Sequence, residues 1–219
     1  MFITLEGIEG SGKTTLVDLL LRTYNVPDGT LFIDGNDVNG LKIKDVRAAI
    51  AYVPQDNFLF SDTIENNITF ADNRANHSAV EEAAIISDVH DNITEFSEGY
   101  ETVLGERGVT VSGGQKQRIS IARAIIKDAP ILILDDSVSA VDTNTEKKIL
   151  DNLRRTRKGK TTLLIAHRVT AVEQMDKVVF INDGKIAAVG THDELYNTNK
   201  AYHTMVELQR LDEEKEDKQ

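Results

Sequence analysis

Two segments of the chain contain the residue types that bind phosphate and a divalent metal. Residues 7–14 read Gly-Ile-Glu-Gly-Ser-Gly-Lys-Thr and match the pattern G-x-x-x-x-G-K-[ST]. Glycines let the backbone N–H groups of such a loop turn towards phosphate oxygens, and a helix that begins there adds its positive end. Lys13 is therefore predicted to reach the β- and γ-phosphates of a nucleotide, and the Thr14 hydroxyl is predicted to ligate Mg²⁺.

The second segment is an apolar run that ends in two acids, Ile-Leu-Ile-Leu-Asp-Asp at residues 131–136. A buried strand of this kind places Asp135 at its carboxyl end, where the side chain can hold Mg²⁺ directly or through water. Asp136 follows at the position from which a general base polarises an attacking water molecule. Alone, such a run could also end in an aspartate that caps a turn, but the phosphate loop upstream favours the metal site.

These residues need a framework of alternating strands and helices. Strands are predicted from short apolar runs at residues 2–5, 31–33, 50–53, 131–134, 161–166, 178–181 and 186–189. Asp183-Gly184, between the last two runs, predicts a hairpin, and residues 63–127 are mainly helical in pattern. The charged residues 212–219 are expected to form a frayed tail. The alternation predicts an α/β fold with a mainly parallel sheet, helices on both of its faces and an inserted helical region.

Composition excludes several classes of function. The 219 residues include 25 basic and 36 acidic side chains, giving a formal net charge of −11. Such an acidic chain argues against nucleic acid as a partner. Cysteine is absent, so disulfides and thiolate metal sites are excluded, and a reducing, cytoplasmic environment is expected. No apolar run approaches the ~20 residues that a membrane-spanning helix requires.

A third segment has a more specific pattern. Val111-Ser112-Gly113-Gly114-Gln115 resembles the LSGGQ signature of ABC ATPases, and residues 116–124 continue that family's pattern. Ser112 can cap the helix that follows, and the glycines leave its amide end open to an anion. Three further segments resemble family motifs: residues 51–55 the Q-loop, residues 139–142 the D-loop and residues 165–168 the switch histidine. Residues 57–68 resemble the exporter segment that touches the membrane domain.

The resemblance covers residues 7 to about 210 and implies a P-loop NTPase (RecA-like) core at 1–57 and 125–219, with a helical signature subdomain at 58–124. It implies ATP and Mg²⁺ as ligands and ATP hydrolysis as the activity. Catalytic roles fall on Asp136, His167 and Gln55, and metal ligation on Thr14, Gln55 and Asp135. Nucleotide binding is assigned to Gly7, Glu9, Gly10, Ser11, Gly12, Lys13, Thr14, Thr15, Ser112, Gly113, Gly114, Gln115 and Asp142.

The same resemblance implies two partners. In ABC exporters, two ATPase domains form a head-to-tail dimer, so each ATP would lie between one subunit's phosphate loop and residues 112–115 of the other. The second domain could be an identical or a different ABC ATPase domain. Closure and hydrolysis would drive the transmembrane domain of an exporter, with this chain on the cytoplasmic face of the membrane.

The residue after Asp135 departs from the family pattern. The family usually has glutamate there, and this chain has Asp136. The carboxylate is set back by one methylene, and a misplacement of ~1 Å can slow a reaction ~10²-fold. Aspartate at this place resembles the degenerate half of heterodimeric exporters. We therefore expect slow hydrolysis with intact ATP binding.

The N-terminus departs as well. Family members have further N-terminal strands with an aromatic residue that stacks on adenine, so the antiparallel β-subdomain is expected to be incomplete here. Residues 1–15 resemble the start of thymidylate kinase, which favours a chimera over a truncated natural domain. Two alternative functions follow: a nucleoside monophosphate kinase, in which the signature at residues 112–115 would have no role, and a regulatory module that binds nucleotide with negligible turnover.

Overall fold

Strands and helices alternate in the computed structural model, which describes residues 1–7, 12–105, 109–166 and 168–216. The strands in these ranges are β1 (Phe2–Glu6), β2 (Phe32–Ile33), β3 (Asn36–Asp37), β4 (Ile50–Val53), β5 (Ile131–Asp135), β6 (Thr161–Ile165), β7 (Lys177–Asn182) and β8 (Lys185–Gly190). The α-helices there are α1 (Lys13–Leu20), α2 (Ile43–Ala48), α3 (Ile64–Thr69), α4 (His77–Ile86), α5 (His90–Thr94), α6 (Gly113–Ile126), α7 (Thr143–Thr156), α8 (Val169–Val172), α9 (His192–Thr198) and α10 (Lys200–Glu216). Short 3-10 helices cover Val38–Gly40 and Gly99–Glu101. No helix in the described ranges is long and apolar enough to cross a membrane.

The main sheet has the strand order β4-β5-β6-β1-β7-β8. β1 pairs in parallel with both β6 and β7, so that Leu5 lies opposite Ile165 on one side and Val179 on the other. β7 and β8 are antiparallel. Continuous apolar runs are typical of strands buried on both faces, as parallel strands are. The predicted α/β fold with a mainly parallel sheet is confirmed.

Two Asp-Gly turns connect the antiparallel strand pairs. Asp183 and Gly184 have φ values of 48° and 70°, and they join Asn182 to Lys185 across the β7–β8 hairpin. Positive φ at both central residues is the requirement of the hairpin turn that the sequence predicts. A turn at residues 34–35 joins β2 and β3 in the same way, although each of these strands has only two residues.

The chain divides into two compact units. The helical unit comprises residues 1, 52–128 and 134–160, and the sheet unit comprises residues 2–51, 129–133 and 161–219. The core of the helical unit is built from α3, α4, α5 and α6 and includes Ile64, Ile68, Val80, Ile93 and Ile119. This unit contains all of the predicted insertion at 58–124 and also residues 134–160. The predicted domain boundaries stay a prediction.

The C-terminal helix is longer than the sequence suggests. Residues 212–219 are predicted as a frayed tail, but α10 continues to Glu216, so this expectation is wrong for residues 212–216. A residue added to an existing helix bears no nucleation cost, and glutamate and lysine are good helix formers. Residues 217–219 lie outside the described part of the chain.

A buried acid lies at the end of β1 in the sheet unit. Glu6 is fully buried, and its Oε1 accepts a hydrogen bond from the Thr4 hydroxyl at 3.2 Å. Its Oε2 has no hydrogen-bond partner among the described residues. Burial raises the pKa of Glu6 to about 8, although the nearby positive charge of Lys13 opposes the rise. Glu6 therefore holds a proton at neutral pH inside the fold.

The raised pKa of Glu6 predicts how stability depends on pH. Between 4.5, the ordinary pKa of glutamate, and about 8, the unfolded chain releases the Glu6 proton while the folded chain keeps it. Folding therefore becomes less favourable across that window, by an amount on the order of a few kcal/mol. Glu6→Gln should remove this loss. Urea unfolding should show the variant gaining stability over the wild type between pH 5 and pH 8, whereas the exposed Glu95→Gln control should show no such gain. Parallel pH profiles for Glu6→Gln and wild type would contradict the prediction.

Candidate functional site

The described part of the phosphate loop lies between β1 and α1 in the sheet unit. Lys13 is buried, and its Nζ donates a hydrogen bond to the carbonyl oxygen of Gly7 at 3.0 Å. Gly12 occupies the N-cap position of α1 with a φ of 98°, a left-handed conformation that favours glycine. Because Gly12 has no side chain to accept the first amides of α1, that helix end suits an anion. Thr15 is exposed on the first turn.

Two acids form a polar cluster in the helical unit with one partner from β4 and one from just after it. The Tyr52 hydroxyl, from β4, donates to Oδ2 of Asp135 at 3.0 Å. Gln55, two residues beyond the end of β4, donates from Nε2 to Oδ2 of Asp136 at 3.2 Å. Asp135 is buried, whereas Asp136 is partly accessible. The structure thus brings together Gln55 and Asp136, which the family resemblance pairs around the attacking water.

The backbone at Asp136 is held in an unusual conformation. Its φ is 47°, in the left-handed region, where aspartate is found more often than most residues. Its carbonyl oxygen accepts a hydrogen bond from the Ser139 hydroxyl at 2.9 Å. At the end of this loop, the Asp142 side chain caps α7 by accepting from the amides of Asn144 and Thr145 at 3.1 and 3.0 Å. These amides, Thr145 foremost, lower the pKa of Asp142. Residues 136–142 are called the acid loop below.

The signature segment begins α6. The Ser112 Oγ accepts a hydrogen bond from the amide of Gln115 at 3.2 Å, and the Gln115 Oε1 accepts one from the Ser112 amide at 2.9 Å. This reciprocal pair is a capping box, so the predicted cap at Ser112 is confirmed. A Cβ added to Gly114 would lie 3.1 Å from the carbonyl oxygen of Ala140. Glycine at 114 therefore allows the first turn of α6 to approach the acid loop closely.

An arginine and an asparagine organise the segment that resembles the membrane-facing part of exporters. Arg123, on α6, donates to the carbonyl oxygens of Asn67 and Phe58 at 2.7 and 2.8 Å and to the Asn67 Oδ1 at 2.8 Å. Asn67 in turn exchanges hydrogen bonds with the backbone of Phe60 at 2.8 and 3.0 Å. The guanidinium also lies over the rings of Phe60 and Phe70. Phe58 and Phe70 are each 65% exposed, so this framework presents aromatic side chains to the surface.

The predicted site residues are described in part. Gly7, Gly12, Lys13 and Thr15 lie in the sheet unit, as does the backbone of Thr14. The predicted residues of the helical unit are Gln55, Ser112, Gly113, Gly114, Gln115, Asp135, Asp136 and Asp142. Glu9, Gly10, Ser11 and His167 lie outside the described residues. The roles of all of these residues stay predictions.

Sequence reasoning missed the residues that hold the predicted ones in place. Tyr52 approaches Asp135 from 83 positions earlier in the chain, and Arg123 reaches back 56 positions to Asn67. A polar side chain at an otherwise buried helix position is a signal for such a role, because a buried polar group needs a partner. Gln117, which is 8% exposed on α6, fits that description.

The donor chemistry of the helical unit fits magnesium. Asp135 and Gln55 offer carboxylate and amide oxygens, which are the hard donors that Mg²⁺ prefers. Within the described residues, no group of three or more histidine or acidic side chains is arranged to hold a metal by itself. Mg²⁺ is usually bound through one or two carboxylates together with substrate phosphates rather than by a complete protein cage. The residues present are therefore those expected of a site shared with a nucleotide.

Comparison with known protein families gives a match over most of the chain. A family model described as ABC transporter matches residues 2–139 of the chain. The match begins in β1 and so includes most of the segment that resembles thymidylate kinase. The idea that residues 1–15 come from a kinase stays a hypothesis.

Two of the curated relatives are a bacterial flippase and a fungal mitochondrial transporter. The ATP-dependent lipid A-core flippase of Syntrophus aciditrophicus (strain SB) is 42% identical over 207 residues, which cover 94% of this chain and 34% of the flippase. The mitochondrial iron-sulfur clusters transporter atm1 of Neurospora crassa is 38% identical over 216 residues, which cover 95% of this chain and 30% of the transporter. The chain thus spans about a third of the length of these two relatives.

A solved structure gives the same result for the fold. The structure of a bacterial Atm1-family ABC exporter with ATP bound is similar to this chain with a TM-score of 0.90 and 38% sequence identity. The similarity covers 95% of this chain and 37% of the exporter chain.

The hydrogen bonds of Arg123 predict a large loss of stability on substitution. Arg123→Met keeps an apolar stem against the phenylalanines but leaves the carbonyl oxygens of Asn67 and Phe58 without this donor. We expect the free energy of unfolding in urea to fall by about 2–3 kcal/mol. Arg155→Met is a matched control, because Arg155 is exposed and its side chain donates only to Asn152 among the described residues. The control should stay within ~0.5 kcal/mol of the wild type; an equal loss in both variants would refute the role of Arg123.

Proposed function

Because the chain belongs to the ABC transporter family, as an ATP-binding domain of the exporter type, we propose that it hydrolyses ATP in a head-to-tail dimer and so powers an attached membrane domain. The single observation that carries the proposal is the hydrogen bond between Gln55 and Asp136 at 3.2 Å. It joins a carboxylate that can accept a proton from water to an amide that can orient that water.

ATP binding in this proposal divides among two sets of residues. The phosphates are held by Gly7, Glu9, Gly10, Ser11, Gly12, Lys13, Thr14 and Thr15, with Lys13 as the counter-charge. Ser112, Gly113, Gly114, Gln115 and Asp142 act on the ATP of the partner subunit. The uncapped amide end of α1 and the left-handed Gly12 support the first set.

Hydrolysis in this proposal depends on three side chains. Asp136 accepts the proton of the attacking water, Gln55 orients that water, and His167 contacts the γ-phosphate. Thr14, Gln55 and Asp135 would hold Mg²⁺, which when bound neutralises charge on the phosphates. The buried Asp135 carboxylate, with a hydrogen bond from Tyr52, supports a fixed metal ligand.

The proposed partners follow from the relatives. Lipid A-core flippase and an ATP-bound exporter are among the proteins to which the chain is similar, and the matched part covers 34% of the first and 37% of the second. We propose a second ABC ATPase domain, identical or different, and an exporter's transmembrane domain as partners, with this chain on the cytoplasmic face. The exposed Phe58 and Phe70 support a surface for the membrane domain.

Substitution of Asp136 tests the slow turnover that we propose. Asp136→Glu extends the carboxylate by one methylene and should raise turnover up to ~10²-fold. It should also lower stability by about 1 kcal/mol, since a longer side chain is less favourable at a φ of 47°. Phosphate release at saturating ATP measures the first effect. Asp136→Asn, which has no base, should release almost no phosphate, and equal turnover of wild type and Asp136→Glu would overturn the slow-hydrolysis proposal.

Chromatography of the chain with and without ATP, combined with phosphate release, tests the function as a whole. The proposal requires an ATP-dependent dimer that releases phosphate, and Lys13→Ala should lose both properties. A dimer that forms with ATP and releases no phosphate would identify a regulatory module. Transfer of phosphate to thymidine monophosphate would identify a kinase.

The hydrogen bond from Tyr52 predicts a change in metal dependence. Tyr52→Phe leaves the Asp135 carboxylate without this donor. Loss of such a supporting hydrogen bond typically weakens metal binding by about 10–100-fold. The Mg²⁺ concentration that gives half-maximal phosphate release should rise accordingly, with little change at saturating Mg²⁺. Tyr24→Phe, at an exposed position of the sheet unit, is the matched control; the same Mg²⁺ requirement in both variants would exclude a supporting role for Tyr52.

A further inference from the structure

Gln117 joins α6 to the acid loop at one point. It lies in the second turn of α6, five residues after Ser112, and its side chain is nearly excluded from solvent. Its Oε1 accepts a hydrogen bond from the backbone amide of Ala140 at 3.1 Å. Gln117 has no role in the proposed ATP site. The signature segment that precedes it and the acid loop that it contacts both contain residues of that site.

A second close approach reinforces this bond. The carbonyl oxygen of Ala140 lies 3.1 Å from where a Cβ of Gly114 would be, and the Val141 side chain lies 3.4 Å from the same point. Val141 is itself buried. The amide of Ala140 is thus held by Gln117 while its carbonyl faces Gly114, so the loop cannot slide along α6 without losing the hydrogen bond or clashing.

The ends of the acid loop are also fixed within the helical unit. The Asp136 carboxylate accepts a hydrogen bond from Gln55 at 3.2 Å, and the Asp142 side chain caps the first turn of α7. Ala140 lies between these two anchors and is exposed, so apolar burial of its own side chain does not hold it. The hydrogen bond to Gln117 and the packing of Val141 therefore both fix the middle of the loop relative to the signature segment.

We propose that Gln117 is a positioning residue that locks the acid loop to the signature segment, so that Ser112–Gln115 and Asp142 meet the partner's ATP as one preformed surface. The inference rests on the proposed dimer. Ser112–Gln115 and Asp142 are assigned to the partner's nucleotide and not to the subunit's own. Loss of the lock should therefore weaken association of two subunits and leave ATP binding by one subunit unchanged.

The test compares three variants in an Asp136→Asn background, in which hydrolysis does not deplete ATP. Gln117→Leu removes the acceptor at similar size, and Gln117→Glu keeps an acceptor oxygen. Gln174→Leu is the control, because Gln174 lies two residues after α8 and its side chain donates to the carbonyl oxygen of Thr170 in that helix. Sedimentation velocity with excess ATP measures association. Titration with a fluorescent ATP analogue below the association range measures binding by single subunits.

Gln117→Leu should weaken ATP-dependent association by about tenfold, the effect of leaving one partly buried amide without its partner, with less than about a twofold change in binding by single subunits. Gln117→Glu should restore most of the association, and Gln174→Leu should match the background. Equal association of Gln117→Leu and the background overturns the inference, as does an equal loss in Gln117→Glu. If the background itself fails to dimerise with ATP, the proposed function fails instead, which separates the two outcomes.

Discussion

Hydrogen bonds from α6 to the backbone of two distant loops are the interaction on which the helical unit depends. Backbone amides and carbonyls of a loop need hydrogen-bond partners where they are buried, since leaving one unpaired costs about as much free energy as losing a hydrogen bond. Arg123 supplies donors to the segment around Phe58, and Gln117 supplies an acceptor to Ala140. One helix thereby carries the signature at its start and holds both loops at fixed positions along its length. The capping box at Ser112 fixes where this helix begins.

The sheet unit meets a different constraint, because its central strand must be buried and must also lead into a polar loop. β1 lies between β6 and β7, and Leu5 is buried by both neighbours. Glu6 then places a carboxyl group in the same buried strand, one residue before Gly7. Burial raises the pKa of this carboxyl to about 8, and the charge of Lys13, which favours the ionised form, opposes part of that rise. Exceptions to burial rules of this kind are expected where a fold is shaped for binding.

Local patterns in the sequence predict much of this architecture, and contacts between distant residues do not follow from them. Strand runs, the Asp183-Gly184 turn and the cap at Ser112 depend on neighbours within a few positions, so a single sequence contains the necessary information. The bonds of Tyr52 to Asp135 and of Gln117 to Ala140 join residues 83 and 23 positions apart. Which polar side chain meets which backbone group depends on helix packing, and one sequence does not reveal it. The end of α10 differs from the expectation for a local reason. The charged sequence of residues 212–216 indicates a frayed tail, but these residues continue a helix that has already formed.

Asp136 connects these structural constraints to the chemistry. Its left-handed backbone suits aspartate, whose short side chain is better tolerated there than that of most residues. Its carbonyl oxygen is tied to the Ser139 hydroxyl, and its carboxylate is tied to Gln55. Backbone movement therefore has little freedom to compensate for a shorter side chain. The reach of the proposed base is set by the number of methylene groups in the side chain at position 136. Exchanging aspartate for glutamate there therefore changes where the attacking water must lie.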